Sequence, residues 1–286
     1  MVRRIVVTLD GSSLAETILP QAVALARATK VGLTLVRVIP PLNVAGYSGV
    51  AIIPEHWYEQ EVVWTRDYLN QVAGRLREER LEADIEILDG EPAIALLAYI
   101  EEHPTIELVA MATHGRSGIS RWVMGSVATK VMQVAMKPVV LLHSHNATVT
   151  FTPPVSYQTL VVPLDGTAEG ERALELAQPI ALASGANLVL VLVAANETQM
   201  HSGKKSEYLE QKAHQLRAQG LTVQVEEGIG DPTELLEHLS QNGEYDVLAI
   251  TTHRKSSEHI IMKFIHQVDI PVLLVPEQEA QVHRHQ

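Results

Sequence analysis

Apolar residues fall into two kinds of run along this chain. Short unbroken runs, such as Ile5-Val6-Val7, Ile106 to Met111 and Leu188-Val189-Leu190-Val191-Leu192-Val193, lack the polar alternation of a half-buried strand. They mark strands covered on both faces. Between them lie longer stretches with helical spacing, in which Ala15, Ile18, Leu19, Ala22, Val23 and Ala26 form one stripe. In the first half the pattern predicts strands near 3–9, 32–39, 83–88, 106–111 and 138–143, and helices near 13–29, 56–80, 91–102 and 126–136. Ser13 with Glu16 reads as a capping box for the first helix, and Pro92 suits the first turn of the third. Strands that alternate with helices predict a mostly parallel sheet between two helix layers.

The pattern occurs twice. Ile5-Val6-Val7-Thr8-Leu9-Asp10-Gly11-Ser12 reappears as Leu160-Val161-Val162-Pro163-Leu164-Asp165-Gly166-Thr167, and this offset of 155 holds without a gap to Val38 and Val193. Gly90-Glu91-Pro92 pairs with Gly230-Asp231-Pro232, Thr113-His114 with Thr252-His253, and Pro138-Val139-Val140 with Pro271-Val272-Leu273. The shrinking offset places deletions after the second strand of the second copy and in the loop before its last helix. The expected division is a domain over 1–145, a linker over 146–157 with Pro153-Pro154, a second domain over 158–277 and a tail over 278–286. The final strands, Val139–Leu142 and Val272–Val275, are apolar edges that need cover.

Candidate chemistry concentrates in Met111 to Ser126, a loop with Gly115, Gly118 and Gly125 between a strand and a helix. Such a loop brings several backbone N–H groups onto one anion, and Gly125-Ser126 sits where the helix carries its partial positive charge. The alternative is a surface loop without a ligand. Open α/β sheets bind ligands at the carboxyl ends of their strands, where both Asp10 and this loop fall. Asp10 and Asp165 have two readings, a ligand contact or a carboxylate closing the turn into the first helix. Residues 41–60, with Tyr47, Trp57 and Tyr58, would either cover a ligand or partner or pack on the neighbouring domain.

Composition removes several functions. The chain has no cysteine, which excludes disulfides, thiol catalysis and thiolate metal sites. A net charge of −12 argues against general nucleic-acid or anionic-membrane binding. Residues 1–145 carry 13 basic and 16 acidic side chains, the remainder 9 and 18, so an anion meets less repulsion in the first half. No apolar run approaches the ~20 residues of a membrane span, and the N-terminus lacks the pattern of a signal peptide, so a cytoplasmic location is expected. There is no Gly-x-Gly-x-x-Gly, no Gly-Lys-Ser/Thr phosphate loop and no Gly-x-Ser-x-Gly elbow. The thirteen histidines, including His143 and His145, show no third ligand at metal spacing.

With these motifs assembled, both copies resemble the universal stress protein family. Asp-Gly-Ser after the first strand, Thr-His-Gly-Arg-x-Gly after the fourth, the Gly-Ser-Val entry to the last helix and the closing Pro-Val-x-Leu strand carry the likeness. The chain is similar to a tandem member. The resemblance implies two Rossmann-like α/β domains with open, parallel five-stranded sheets of the adenine nucleotide alpha hydrolase-like type, packed as a pseudo-dimer with Val139–Leu142 and Val272–Val275 paired edge to edge. It implies ATP, alone or with Mg, as ligand. Thr8 and Val38 would line the adenine pocket, Asp10 would contact ribose or the adenine side, and Gly115, Gly125, Ser126 and Val127 would hold phosphates. Ala112 stands where nucleotide-binding members carry their first loop glycine, with Arg116 just beyond Gly115. In the second copy Arg254, Glu258 and His259 replace Gly115, Gly125 and Ser126, so that copy is expected to have lost nucleotide binding.

The expected function is stress-response binding of ATP in the first domain without turnover. Alternatives are a slow ATP-hydrolysing enzyme, with Arg116 and Arg121 as the nearest phosphate-directed cations, and a nucleotide-free dimerisation scaffold. The expected partners are an adenine nucleotide, the other half of the same chain and a second copy in a homodimer, with neither nucleic acid nor membrane.

Overall fold

The unbroken apolar runs form the strands. The structure, a computed structural model, describes residues 3–41, 56–113, 124–143, 157–194, 204–231, 234, 245–252 and 270–277. The first repeat supplies β1 (Arg4–Thr8), β2 (Gly32–Ile39), β3 (Ala83–Asp89), β4 (Ile106–Ala112) and β5 (Val139–Leu142). The second supplies β6 (Thr159–Leu164), β7 (Asn187–Ala194), β8 (Val223–Ile229), β9 (Val247–Thr252) and β10 (Val272–Pro276). Helices α1 (Ser13–Glu16), α2 (Leu19–Thr29), α3 (Trp57–Glu78), α4 (Pro92–Glu102) and α5 (Ser126–Val134) belong to the first repeat, α6 (Arg172–Ser184) and α7 (Lys204–Ala218) to the second.

The described chain divides into two compact units. Unit 1 runs to Val134. Its strands lie in the order β3-β2-β1-β4, and every adjacent pair is parallel. The central strand β1 buries Ile5, Val6 and Val7 at 0–2% exposure. In unit 2 the strands β10, β9, β6, β7 and β8 are parallel in that order. The sixth strand of unit 2 is β5, contributed by residues 135–143 of the first repeat. It runs antiparallel to β10, with Leu141 opposite Val272 and Val139 opposite Leu274. Edge pairing of the two final strands is therefore present. Tyr157, placed at the end of the linker by sequence, is 2% exposed and part of the packed unit; the rest of the linker and the tail lie outside the described residues.

The first helix departs from expectation. It divides into α1 and α2, because Pro20 in the first turn of α2 has no N–H to give the carbonyl of Glu16 and its ring crowds that carbonyl. Thr17 closes α1 through its hydroxyl, 2.6 Å from the Leu14 carbonyl. The cap is Ser12, whose Oγ accepts from the Ala15 N–H at 3.1 Å; Ser13 is already helical. In α4 the expected Pro92 is present and the side chain of Glu91 caps the Ile94 N–H at 3.0 Å.

Helix α3 attaches to unit 1 in two different ways. Its second half buries Leu69, Val72, Ala73 and Leu76, whereas its first two turns bury none of their apolar side chains. The offset of 140 that aligns Gly90 with Gly230 extends back through this helix. Leu69, Ala73 and Leu76 correspond to the buried Leu209, Ala213 and Leu216. Arg80 and Gly220 both have positive φ, 61° and 92°, and Arg77 and Arg217 both reach forward to a carbonyl six residues on.

A shared cluster ties α3 and α7 to the entry of the first helix of each copy. Glu16 takes Arg75 at 2.6 Å. Glu171 takes the Tyr208 hydroxyl and Lys212, each at 2.7 Å. Burial first, and then the neighbouring Glu16 or Glu171, pushes the Tyr68 and Tyr208 hydroxyls above their ordinary 10.0. An alkaline titration followed by tyrosinate absorbance is expected to leave both protonated through pH 10 and to ionise them later. An ordinary midpoint for either would contradict the packing of the helix on its glutamate.

Candidate functional site

Unit 1 has a cavity of about 420 Å³ at the carboxyl ends of its strands, within the usual size range of small-molecule sites. Thr8 and Asp10 reach it from the end of β1, Val38 from β2, Ala112 from β4, and Gly125, Ser126 and Val127 from the start of α5. Seven of the residues singled out by sequence thus share one wall system. Gly115 and Arg116 lie outside the described residues. Sequence reading missed Val36 and Pro40 on β2 and beyond, and Pro92 and Leu96 on α4; Met111 and Thr113 lie within the stretch it singled out, without a role of their own. A usable signal for Pro92 was its place at the start of a helix that follows a strand end.

The helix end at the cavity is built by Gly125. Its N–H donates to the Thr113 carbonyl at 2.7 Å, and its own carbonyl accepts from the Thr129 N–H at 2.9 Å. A Cβ at this position would lie 3.0 Å from the Thr113 carbonyl oxygen. Glycine allows this close approach of two backbones without either having to shift. Since the Gly125 N–H is used internally, an anion here would meet the N–H groups of Ser126, Val127 and Ala128. Those groups lie in the first helical turn and have no acceptor within the helix.

Asp10 has a structural role in both copies. Its Oδ1 accepts from the Ser12 N–H at 2.8 Å and the Ser12 hydroxyl at 2.6 Å. Asp165 does the same with Thr167, at 2.9 and 2.7 Å. The intervening Gly11 and Gly166 have φ of 85° and 88°, which a side chain would resist. The carboxylate closes the turn into the first helix, and Asp10 does this while lining the cavity.

Ala112 ends β4, and among the described residues only Lys30 and Arg80 are non-glycine residues with positive φ. Its methyl group therefore brings no backbone strain. At the corresponding place in unit 2 stands Thr251. Its hydroxyl donates to the Gly170 carbonyl and accepts from the Ala173 N–H, each at 3.0 Å, locking the entry to α6.

One charged side chain at the site was not anticipated. Arg37 of β2 borders the cavity and is 3% exposed. Its guanidinium donates to the Thr65 hydroxyl and to Glu61 at 2.5 Å, and lies 4.4 Å from the ring centre of Trp64. Trp64 in turn stacks on Tyr68 with ring centres 5.6 Å apart. Among the described residues no helix is long and apolar enough to cross a membrane.

Open parallel α/β sheets bind ligands in the crevice at the carboxyl ends of their strands, where this cavity lies. The profile of the universal stress protein family matches twice, over residues 1–143 and 156–276. The chain belongs to the universal stress protein family, as a tandem of two family domains. It is 25% identical over 148 residues to "Universal stress protein YxiE" of Bacillus subtilis (strain 168), covering 50% of this chain and 99% of that one. A universal stress protein of Archaeoglobus fulgidus DSM 4304 shares its fold with a TM-score of 0.75 at 17% identity, over 96% of this chain and 97% of that chain. A putative universal stress protein of Pseudomonas aeruginosa UCBPP-PA14 gives 0.67 at 16% identity, over 96% and 94%.

Proposed function

We propose that unit 1 binds one adenine nucleotide, with ATP as the ligand, and that the protein acts in the cytoplasm as a stress-response binding protein without turnover. The observation that carries this reading is the meeting of Thr8, Asp10, Val38, Ala112 and the first turn of α5 in one cavity. The apolar side chains from β2 and α4 suit a flat base. The helix N-terminus suits a phosphate chain, and Asp10, fixed by its turn, suits a ribose hydroxyl. Mg, where present, would accompany the phosphates. Unit 2 is proposed not to bind, because Glu258 would bring a carboxylate to the place a phosphate needs and Thr251 replaces Ala112.

Titration calorimetry of the full chain is expected to show one ATP site. Two equivalent sites would refute the assignment to unit 1, and no heat at all would favour the scaffold reading. Ala112→Gly is expected to change the affinity by less than about tenfold, or ~1.4 kcal/mol, since Ala112 has no strain to relieve. A wild type blind to ATP beside a mutant that binds it would mean that the methyl group has closed the site. Sustained ADP release over many turnovers would identify an enzyme instead.

A further inference from the structure

The repeat offers an internal comparison. Glu16, Asp10 and the tyrosine on the long helix recur in the second copy as Glu171, Asp165 and Tyr208. They serve the fold there as in the first. The cluster around Arg37 does not recur. At the offset of 155 Arg37 becomes Leu192, which is fully buried. At the offset of 140 Glu61, Trp64 and Thr65 become His201, Lys204 and Lys205. The whole cluster is therefore confined to the copy that keeps the glycine loop. We infer that Arg37, gripped by Glu61, Thr65 and Trp64, is a positioning residue for the nucleotide cavity and not a device for holding the fold. The inference rests on the nucleotide reading of unit 1.

The physical basis is the alternation of a strand. Successive side chains point to opposite faces, and the Arg37 side chain turns to α3, so Val36 and Val38 turn to the other face. Arg37, Val36 and Val38 all border the cavity. Any rotation of β2 about its axis at this point moves both valines. A planar guanidinium held by two nitrogens and stacked on a ring resists such rotation, because its contacts are directional. The leucine of the second copy fills the same place without directional contacts. Buried ion pairs also give little net stability compared with apolar residues of similar volume, and Leu192 holds the same place in the second copy without one. With Arg37 removed, Glu61 has a route to solvent, its side chain being 24% exposed.

The test compares wild type, Arg37→Leu and Arg37→Lys in the full chain. ATP affinity is read by calorimetry, and the unfolding midpoint by fluorescence of Trp57, Trp64 and Trp122. Arg37→Leu is expected to melt no lower than the wild type and to bind ATP at least tenfold more weakly. Arg37→Lys, which keeps a charge for Glu61, is expected to recover part of the affinity. Binding by Arg37→Leu within threefold of the wild type overturns the inference and leaves the nucleotide reading standing. So does a lowered midpoint or failure to fold, since Arg37 would then be holding the fold. A wild type that binds no adenine nucleotide removes the nucleotide reading and this inference with it, and is seen before any variant is made.

Discussion

Glu61→Ala is expected to destabilise unit 1 by about 2–4 kcal/mol. It leaves the Arg37 guanidinium, 3% exposed, without its carboxylate, and stranding a buried charge costs roughly 3–5 kcal/mol in well-enclosed pairs. The lower range applies because Thr65 and Trp64 remain in contact and water reaches the Glu61 side. The effect is asymmetric. Losing the arginine frees a carboxylate that can turn outward, whereas losing the carboxylate traps a cation. All three tryptophans lie between residues 57 and 122, so fluorescence-detected urea unfolding reports on the first half. A lower midpoint with an unchanged slope is expected. A loss below about 1 kcal/mol, the usual value of an exposed pair, would mean that the pair is not buried in solution.

Gly125→Glu is expected to abolish most ATP binding. The substitution copies Glu258 of the second repeat into the first. It acts twice over. The new Cβ meets the Thr113 carbonyl at 3.0 Å and pushes the start of α5 away from β4. The carboxylate then occupies the helix N-terminus that would hold the phosphates. Lost phosphate hydrogen bonds alone account for about 1–3 kcal/mol, a fall in affinity of roughly five- to 150-fold. Gly125→Ala carries only the steric part, so calorimetry on the two variants separates crowding from charge. Binding by Gly125→Glu equal to the wild type would place the nucleotide elsewhere.

The strands were legible because strands covered on both faces have no polar side to interrupt them, as in Leu188 to Leu192. The cavity was legible for a related reason: strand ends and a helix start are places along the chain as well as in space. Three features were not. The division of the first helix depended on Pro20, which suits a first turn as well as it disrupts a middle one, so the pattern of the apolar stripe hid the break. Gly125 is expected from the sequence to hold a phosphate through its backbone, while in the structure its N–H donates to the Thr113 carbonyl, which a Cβ would approach to 3.0 Å. Arg37 drew no reading from the sequence, because its partners Glu61, Trp64 and Thr65 lie at least 24 residues away along the chain. Its contrast with Leu192 was available from the repeat alone.

The antiparallel contact of β5 with β10 separates two things that a duplicated chain usually keeps together, the segment that was copied and the body that folds. Val139 to Leu142 belong to the first copy by ancestry and to the second by packing. Mutational drift in those four residues is therefore answerable to Val272, Leu273 and Leu274 of the second copy. A family tree built from this stretch would record the history of a shared seam, where the rest of each repeat records its own divergence.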